Sequence, residues 1–261
     1  MVASEGEQNC ARADYVKVYV INLARRPERM RYMQEQLAKV GVAYERVDAV
    51  DGARLSRSEC KSIARRFRWW CARGYMPRAG EIGCAMSHRS VWRKMKDAED
   101  RAFCVLEDDV SVSERFAEML DKAESFAAGS ASPVAILLTP FCAEPQGGLA
   151  EGCFGRISWA TLTGGYVLNR AAARRLLSAT ERLDSPIDEW ARWAKRGGVQ
   201  LYAAIPSVCS QSEYGSEAFD SPFASDTLER DTVLVSDMKP TRRFFHKCLR
   251  LVGRTLDKMI P

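Results

Sequence analysis

A chain of 261 residues, 46% hydrophobic and 28% charged, has the make-up of one globular domain with appendages and excludes a disordered, collagen-like or coiled-coil protein. No apolar run approaches the roughly 18 residues that span a bilayer, and the opening MVASEGEQNCARAD lacks the apolar core of a secretory signal. Nine cysteines without a CxxC pair and only two histidines, His88 and His246, argue for thiols in a reducing, cytoplasmic compartment and against a zinc site or most hydrolases.

The first element is a strand over 16–21 (VKVYVI). Asn22 to Arg26 and Pro27 then open a helix in which Met30, Met33, Leu37 and Val40 keep a spacing of three to four until Gly41. A second strand over 44–47 empties into DAVDG, and the apolar run 102–106 (AFCVL) ends abruptly in Glu107, Asp108 and Asp109. A helix is expected over 113–127, strands over 134–138, 160–168 and 199–205, and helices after Asn169 and after Ser185 and Pro186. The stretch 140–155 reads as a loop. Alternating strands and helices imply an α/β fold with a mainly parallel central sheet. The expected organisation is a tail over 1–14, one domain over 15–235 and a C-terminal helix over 236–261.

Charge is unevenly spread. Residues 57–80 hold seven Lys/Arg against Glu59, and residues 239–261 hold seven against Asp257, so the remainder of a chain of net charge +5 carries −7. The tail places Phe245, Cys248, Leu249, Val252, Leu256 and Met259 on one helical face among cations, the pattern of a helix lying on an anionic membrane surface or docked on its own domain. Arg65, Arg66, Arg68, Trp69 and Trp70 resemble a nucleic-acid face only superficially, and no nucleic-acid module motif accompanies them, so no nucleic-acid partner is expected. There is also no Walker loop and no GxGxxG after a strand.

In an open α/β sheet, ligands bind beyond the carboxyl ends of the strands. Glu107 and Asp109 are two apart, so in extended chain they face one side and could bind Mn²⁺ or Mg²⁺, with Asp108 facing away. A solvated acidic loop capping the next helix is the alternative.

The blocks VYVINLARRPERM (18–30), VDAVDG (47–52), GEIGCAMSHRSVW (80–92), FCVLEDDV (103–110), TGGYVLNRAAARRLL (163–177) and SPID (185–188) resemble, in this order, glycosyltransferase family 25. The resemblance covers about 16–212 and implies a GT-A-like nucleotide-diphospho-sugar transferase fold. It further implies a UDP-sugar donor, most commonly UDP-galactose, a divalent cation, Mn²⁺ or Mg²⁺, and inverting transfer to a lipooligosaccharide, LPS or other glycan acceptor. With the basic tail, this suggests an enzyme peripheral on the inner face of the cytoplasmic membrane. A catalytically silent nucleotide-sugar-binding or membrane-associated accessory protein is the alternative.

Carried onto this chain, the resemblance gives the metal to Glu107 and Asp109. Asn22, Arg25 and Arg29 would face nucleotide or phosphate after the first strand, with a solvated helix face as the rival reading for Arg25 and Arg29, which lie four apart, and Asp51 would face the uridine, although Asp-Gly is also an ordinary turn. Ser87 and His88 would approach the diphosphate or sugar, with a buried structural histidine as the competing reading. Gly164 and Gly165 would allow close approach or positive φ at the sugar site, with a β-bulge as an equally simple account. An inverting transfer needs a base apart from the metal acids. Asp188 is the candidate, with Glu189 as fallback and first-turn helix capping as the rival role for Asp188. Gln211 and Ser212 would complete the sugar or metal site. The basic segment 57–80 departs from small bacterial members of the family.

Overall fold

The computed structural model describes residues 16–140 and 142–211. The segments 1–14 and 236–261, with their proposed membrane-binding helix, and Ser212 lie outside the described residues. Among the described residues, no helix is long and apolar enough to cross a membrane, and the seven cysteines are free thiols.

In chain order the elements begin with β1 (Lys17–Asn22), α1 (Pro27–Lys39), β2 (Glu45–Asp48), a 3-10 turn (Gly52–Arg54), α2 (Arg57–Ile63), α3 (Arg66–Arg73) and α4 (Ala79–Asp97). They continue with β3 (Ala102–Glu107), β4 (Val110–Val112), α5 (Phe116–Gly129), β5 (Val134–Leu137), β6 (Gln146–Ala150), β7 (Phe154–Arg156), β8 (Gly165–Asn169), α6 (Arg170–Ala179), α7 (Trp190–Gly197), β9 (Gln200–Ala204) and β10 (Cys209–Gln211). Eight strands form one sheet in the order β2-β1-β3-β8-β5-β9-β7-β6, and β10 pairs with β4 in a small second sheet.

The fold is α/β, but the sheet is mixed rather than mainly parallel. Parallel pairing is confined to β2–β1–β3 and β5–β9, whereas β8 runs antiparallel to both neighbours. Gly165 pairs opposite Leu106, so β8 enters from the carboxyl edge of β3 and must run the other way. Nothing in composition reveals this, because a fully buried strand reads as a continuous apolar run in either direction. The expected loop 140–155 also contains β6 and β7, an outer hairpin whose QGGLA strand is mostly exposed and lacks apolar alternation.

Both faces of the sheet are covered. On β1, Tyr19 and Ile21 join one core with Trp92, Met95, Leu176, Trp190 and Trp193, from α4, α6 and α7. Val18 and Val20 join the other with Met33, Leu37, Phe116, Met119 and Leu120, from α1 and α5. Period-two alternation thus divides each central strand between two helical layers. A second consequence is positional: β1 and β3 end side by side, with Ile21 opposite Glu107.

The 3-10 turn is clamped onto α4 by glycines. A Cβ on Gly52 would lie 2.1 Å from the Ala79 carbonyl oxygen, and one on Gly83 would lie 2.7 Å from the Val50 oxygen. Backbone contact this close admits no side chain.

Candidate active site

The alternation that points Glu107 and Asp109 together stops at the strand end. Glu107 is the last residue of β3, and Asp108 and Asp109 form the turn into β4. The three acids consequently meet three different environments.

Glu107 faces α4. Its Oε1 lies 2.9 Å from His88 Nε2 and accepts from Thr163 Oγ1, while its backbone N–H donates to the Gly164 carbonyl at 2.9 Å. His88 is itself buried and its Nδ1 lies 2.7 Å from the Tyr166 hydroxyl, which also accepts from Trp92 Nε1 at 2.9 Å. Burial pushes Glu107 up, but the His88 and Thr163 contacts outweigh it and hold the carboxyl below its usual range.

Asp108 faces inward rather than away from the cluster. It accepts from Asn22 Nδ2 at 2.7 Å and from Arg29 Nη1 at 3.1 Å, and Asn22 Oδ1 accepts from Arg46 Nε at 3.0 Å. Asn22 and Arg29, expected to face phosphate, therefore tie β3 to β1 and α1. Arg29 Nη1 also lies 3.4 Å from Asp109 Oδ2, which leaves it at the rim of the third acid.

Asp109 is the acid left short of partners. Among the described residues, its buried Oδ1 has no hydrogen-bond partner. Burial, then Glu107 and Asp108, push its carboxyl up to about 7, against the opposing influence of Arg29 and Gln211. Hard oxygen donors and an ionised form in deficit of positive charge suit a divalent cation such as Mg²⁺ or Mn²⁺. Gln211 reaches this spot because β10 pairs it opposite Val110, and its Cγ would lie 3.4 Å from a Cβ on Gly164. The role of Gly164 and Gly165 is close approach to Val110 and Cys209; the positive φ in this loop belongs to Leu162 (φ 68).

Asp188 stands on a separate segment. Its Oδ2 accepts from Thr161 Oγ1 at 3.3 Å, and α7 starts at Trp190 with Glu189, not Asp188, as its N-cap residue. Capping by the Asp188 side chain is thus not its role. Burial, then Glu189, push the carboxyl up to about 6, while Arg73 opposes the shift and Glu107 adds to it. Glu189, the fallback base, is ion-paired with Arg73.

Of the remaining expected residues, Arg25 and Asp51 pair with each other at 2.9 Å at the exposed rim, and Asp51 Oδ1 also accepts from Ala53 N at 3.0 Å. Ser87 is buried, donating to the Gly83 carbonyl at 2.7 Å and accepting from Val50 N at 2.8 Å, which makes it a fastener for α4.

Sequence reasoning missed Thr161, Thr163, Arg73 and Cys84. The two threonines precede the glycine pair in TLTGG, a signal available in the sequence. Cys84 Sγ lies within 4.8 Å of the His88 and Glu107 ligand atoms, and burial and then Glu107 push the thiol well up, so without a cation beside it the sulfur keeps its proton.

Residues 15–136 match the model of glycosyltransferase family 25 (LPS biosynthesis protein). A glycosyltransferase 25 family member from Drosophila pseudoobscura pseudoobscura is 27% identical over 87% of this chain and 39% of its own length. A probable inactive glycosyltransferase 25 family member 3 from Rattus norvegicus is 30% identical over 81% of this chain and 40% of its own. Human procollagen galactosyltransferase 2 is 35% identical over 41% of this chain and 17% of its own. The chain thus spans about 40% or less of the length of these relatives. From the ordered blocks, the family model and these relatives together, the chain belongs to glycosyltransferase family 25.

Proposed function

We propose that this centre transfers a hexose, galactose in our reading, from a UDP-sugar to a glycan acceptor with inversion, on a GT-A-like scaffold. The observation that carries the reading is the contrast between two half-buried acids. Asp109 has an oxygen without a partner beside two other carboxylates, and Asp188 has a carboxyl at about 6 on a different segment. Separate acids for charge and for proton transfer are what an inverting displacement requires.

In the forward step the acceptor hydroxyl oxygen attacks the anomeric carbon, the bond from that carbon to the diphosphate breaks, and Asp188 takes the hydroxyl proton. A carboxyl near 6 is ionised at neutral pH yet basic enough to assist. Asp109, with Glu107 beside it, would hold a divalent cation, which supplies charge neutralisation to the departing diphosphate. Arg29 keeps Asp108 and Asp109 in place, and Arg25 at the rim is free to exchange Asp51 for a nucleotide phosphate. His88 orients Glu107 and fixes α4 against β8 through Tyr166.

The galactosyltransferase name of the human relative supports galactose as the sugar, and the family's description supports a saccharide acceptor of the LPS type. The inactive name of the rat relative supports a second reading, a silent nucleotide-sugar-binding protein. The acids Glu107 and Asp109 favour catalysis in this chain. Screening UDP-sugars for cation-dependent release of UDP tests the proposal, and absence of release with every sugar and acceptor would favour the silent reading.

A further inference from the structure

The basic segment 57–80 is folded onto the edge of the centre just described. α2 opens with a capping box in which Ser56 Oγ accepts from Glu59 N and the Glu59 carboxylate accepts from Ser56 N. The joint between α2 and α3 docks on the segment leading to Asp188: Leu183 N donates to the Ile63 carbonyl at 2.8 Å, and Arg65 N donates to the Leu183 carbonyl at 2.7 Å. Trp69 and Cys71 are buried beneath α3, which ends at Gly74 with φ 82. Arg73 then pairs with Glu189.

This packing leaves an open groove of about 490 Å³ between α2, the start of α3 and the first turn of α4. Its lining includes Arg57, Lys61 and Arg66, with Leu55, Pro77 and Ile82 as apolar wall. Arg57 and Lys61 are four apart on α2 and share a helical face. No carboxylate lines the groove, and the acid nearest in sequence, Glu59, is engaged by the α2 cap. None of the three cations has an ion-pair partner among the described residues. Charged groups that converge on a concavity of ligand size without counter-charges are suited to binding an oxyanion, above all through the planar guanidinium fork.

The groove and the reaction centre draw on the same helix, α4. Ile82 lines it, while Cys84 and His88 on the same helix face Glu107. Ile82 and His88 are separated by six residues, roughly 9 Å of helix. A concave site with apolar walls suits a discrete saccharide carrying a charged group better than it suits a flat lipid surface.

We propose that this groove binds the anionic portion, phosphate or carboxylate, of a saccharide acceptor and thereby selects acidic glycans as substrates. This rests on the glycosyltransferase reading of the neighbouring centre. It deepens that reading by naming the acceptor class.

Cys60, half-buried in the groove wall, gives a local reporter. The experiment measures alkylation of Cys60 by iodoacetamide, read by peptide mass spectrometry, with saturating UDP present to fill any nucleotide site. Glucose 6-phosphate, glucuronate and neutral glucose are the probes. The proposal expects one or both anions to slow Cys60 alkylation at least several-fold, with no effect of glucose. It also expects Arg57→Ser, Lys61→Ser and Arg66→Ser combined to weaken that protection tenfold or more while UDP affinity is unchanged. No protection by either anion, equal protection by glucose, or protection that survives the triple substitution would overturn it. Sedimentation with phosphatidylglycerol vesicles that the triple substitution abolishes, without saccharide protection, would also overturn it and assign the face to a membrane. Anion protection in a protein that binds no UDP or UDP-sugar would support the groove while removing the donor reading.

Discussion

His88 Nε2 lies 2.9 Å from Glu107 Oε1, joining the middle of α4 to the last residue of β3. The pair is closed on the other side by Tyr166, whose hydroxyl lies 2.7 Å from His88 Nδ1. Substituting His88 by Ala would leave the half-buried Glu107 with Thr163 as its remaining side-chain hydrogen-bond partner among the described residues. The expected cost is about 2 kcal/mol, because a half-buried carboxylate that loses its partner retains part of its desolvation penalty. Urea denaturation measures this, and an unchanged midpoint would show that the contact is dispensable.

Asp108 and Asp109 are adjacent in sequence but should respond oppositely. Asp108→Ala leaves Asn22 and Arg29 without their shared acceptor and is expected to destabilise by about 3 kcal/mol. Asp109→Asn removes a carboxylate that burial already disfavours, so the fold should hold or gain stability while turnover falls by about 10²-fold or more. Thermal melts beside UDP-release assays separate the two effects, and equal destabilisation by both would contradict the division of roles.

The Asp188 carboxyl, raised to about 6 by burial first and Glu189 second, with Glu107 adding and Arg73 opposing, makes pH a direct probe. As a base it must be ionised, so kcat is expected to fall about tenfold per unit as pH drops below about 6. Stability runs the other way. The folded state binds this proton more tightly than the unfolded chain, so the contribution of Asp188 declines as pH rises from about 4 to about 6. Asp188→Asn should therefore abolish most turnover, remove that slope and raise stability at pH 7 by on the order of 2 kcal/mol. A lower melting temperature with normal turnover would assign Asp188 a structural role.

Gly83 offers a test of how α4 is held. A methyl group there would meet the Val50 oxygen at 2.7 Å and the Gly52 nitrogen at 2.7 Å, both backbone atoms. Gly83→Ala is expected to cost about 2 kcal/mol or more and to weaken UDP binding by displacing the Asp51 turn. Wild-type stability in that variant would mean that the turn is not clamped as described.

Much of this arrangement was legible from residues alone, for reasons that also mark the limits. The AFCVL run announces β3 because a strand buried on both faces must be apolar throughout, and its abrupt end in acids marks where the strand leaves the sheet. Gln211 and Gly164 were expected near the same site, and β10 brings Gln211 there by pairing with β4. The direction of β8 was not legible, since GYVLN is equally apolar whichever way it runs. Nor was the exchange between Asp108 and Asn22. Strict alternation assumes that extended chain continues past Glu107, whereas the turn at Asp108 and Asp109 rotates Asp108 toward β1. Residues 57–80 looked like a charged insertion, and the capping box that folds α2 became meaningful only with Leu183 as its docking partner.

The central claim is that the acids beyond β3 serve sugar transfer from a UDP-sugar. Its most direct measurement is the rate of UDP release from UDP-galactose, with Mn²⁺ and a panel of saccharide acceptors, for the wild-type protein and Asp109→Asn side by side. The account predicts acceptor-stimulated release by the wild type, suppression by EDTA, and at least about 10²-fold less release by Asp109→Asn at equal folded content. Equal release by the two proteins, or full wild-type release in EDTA, would contradict it.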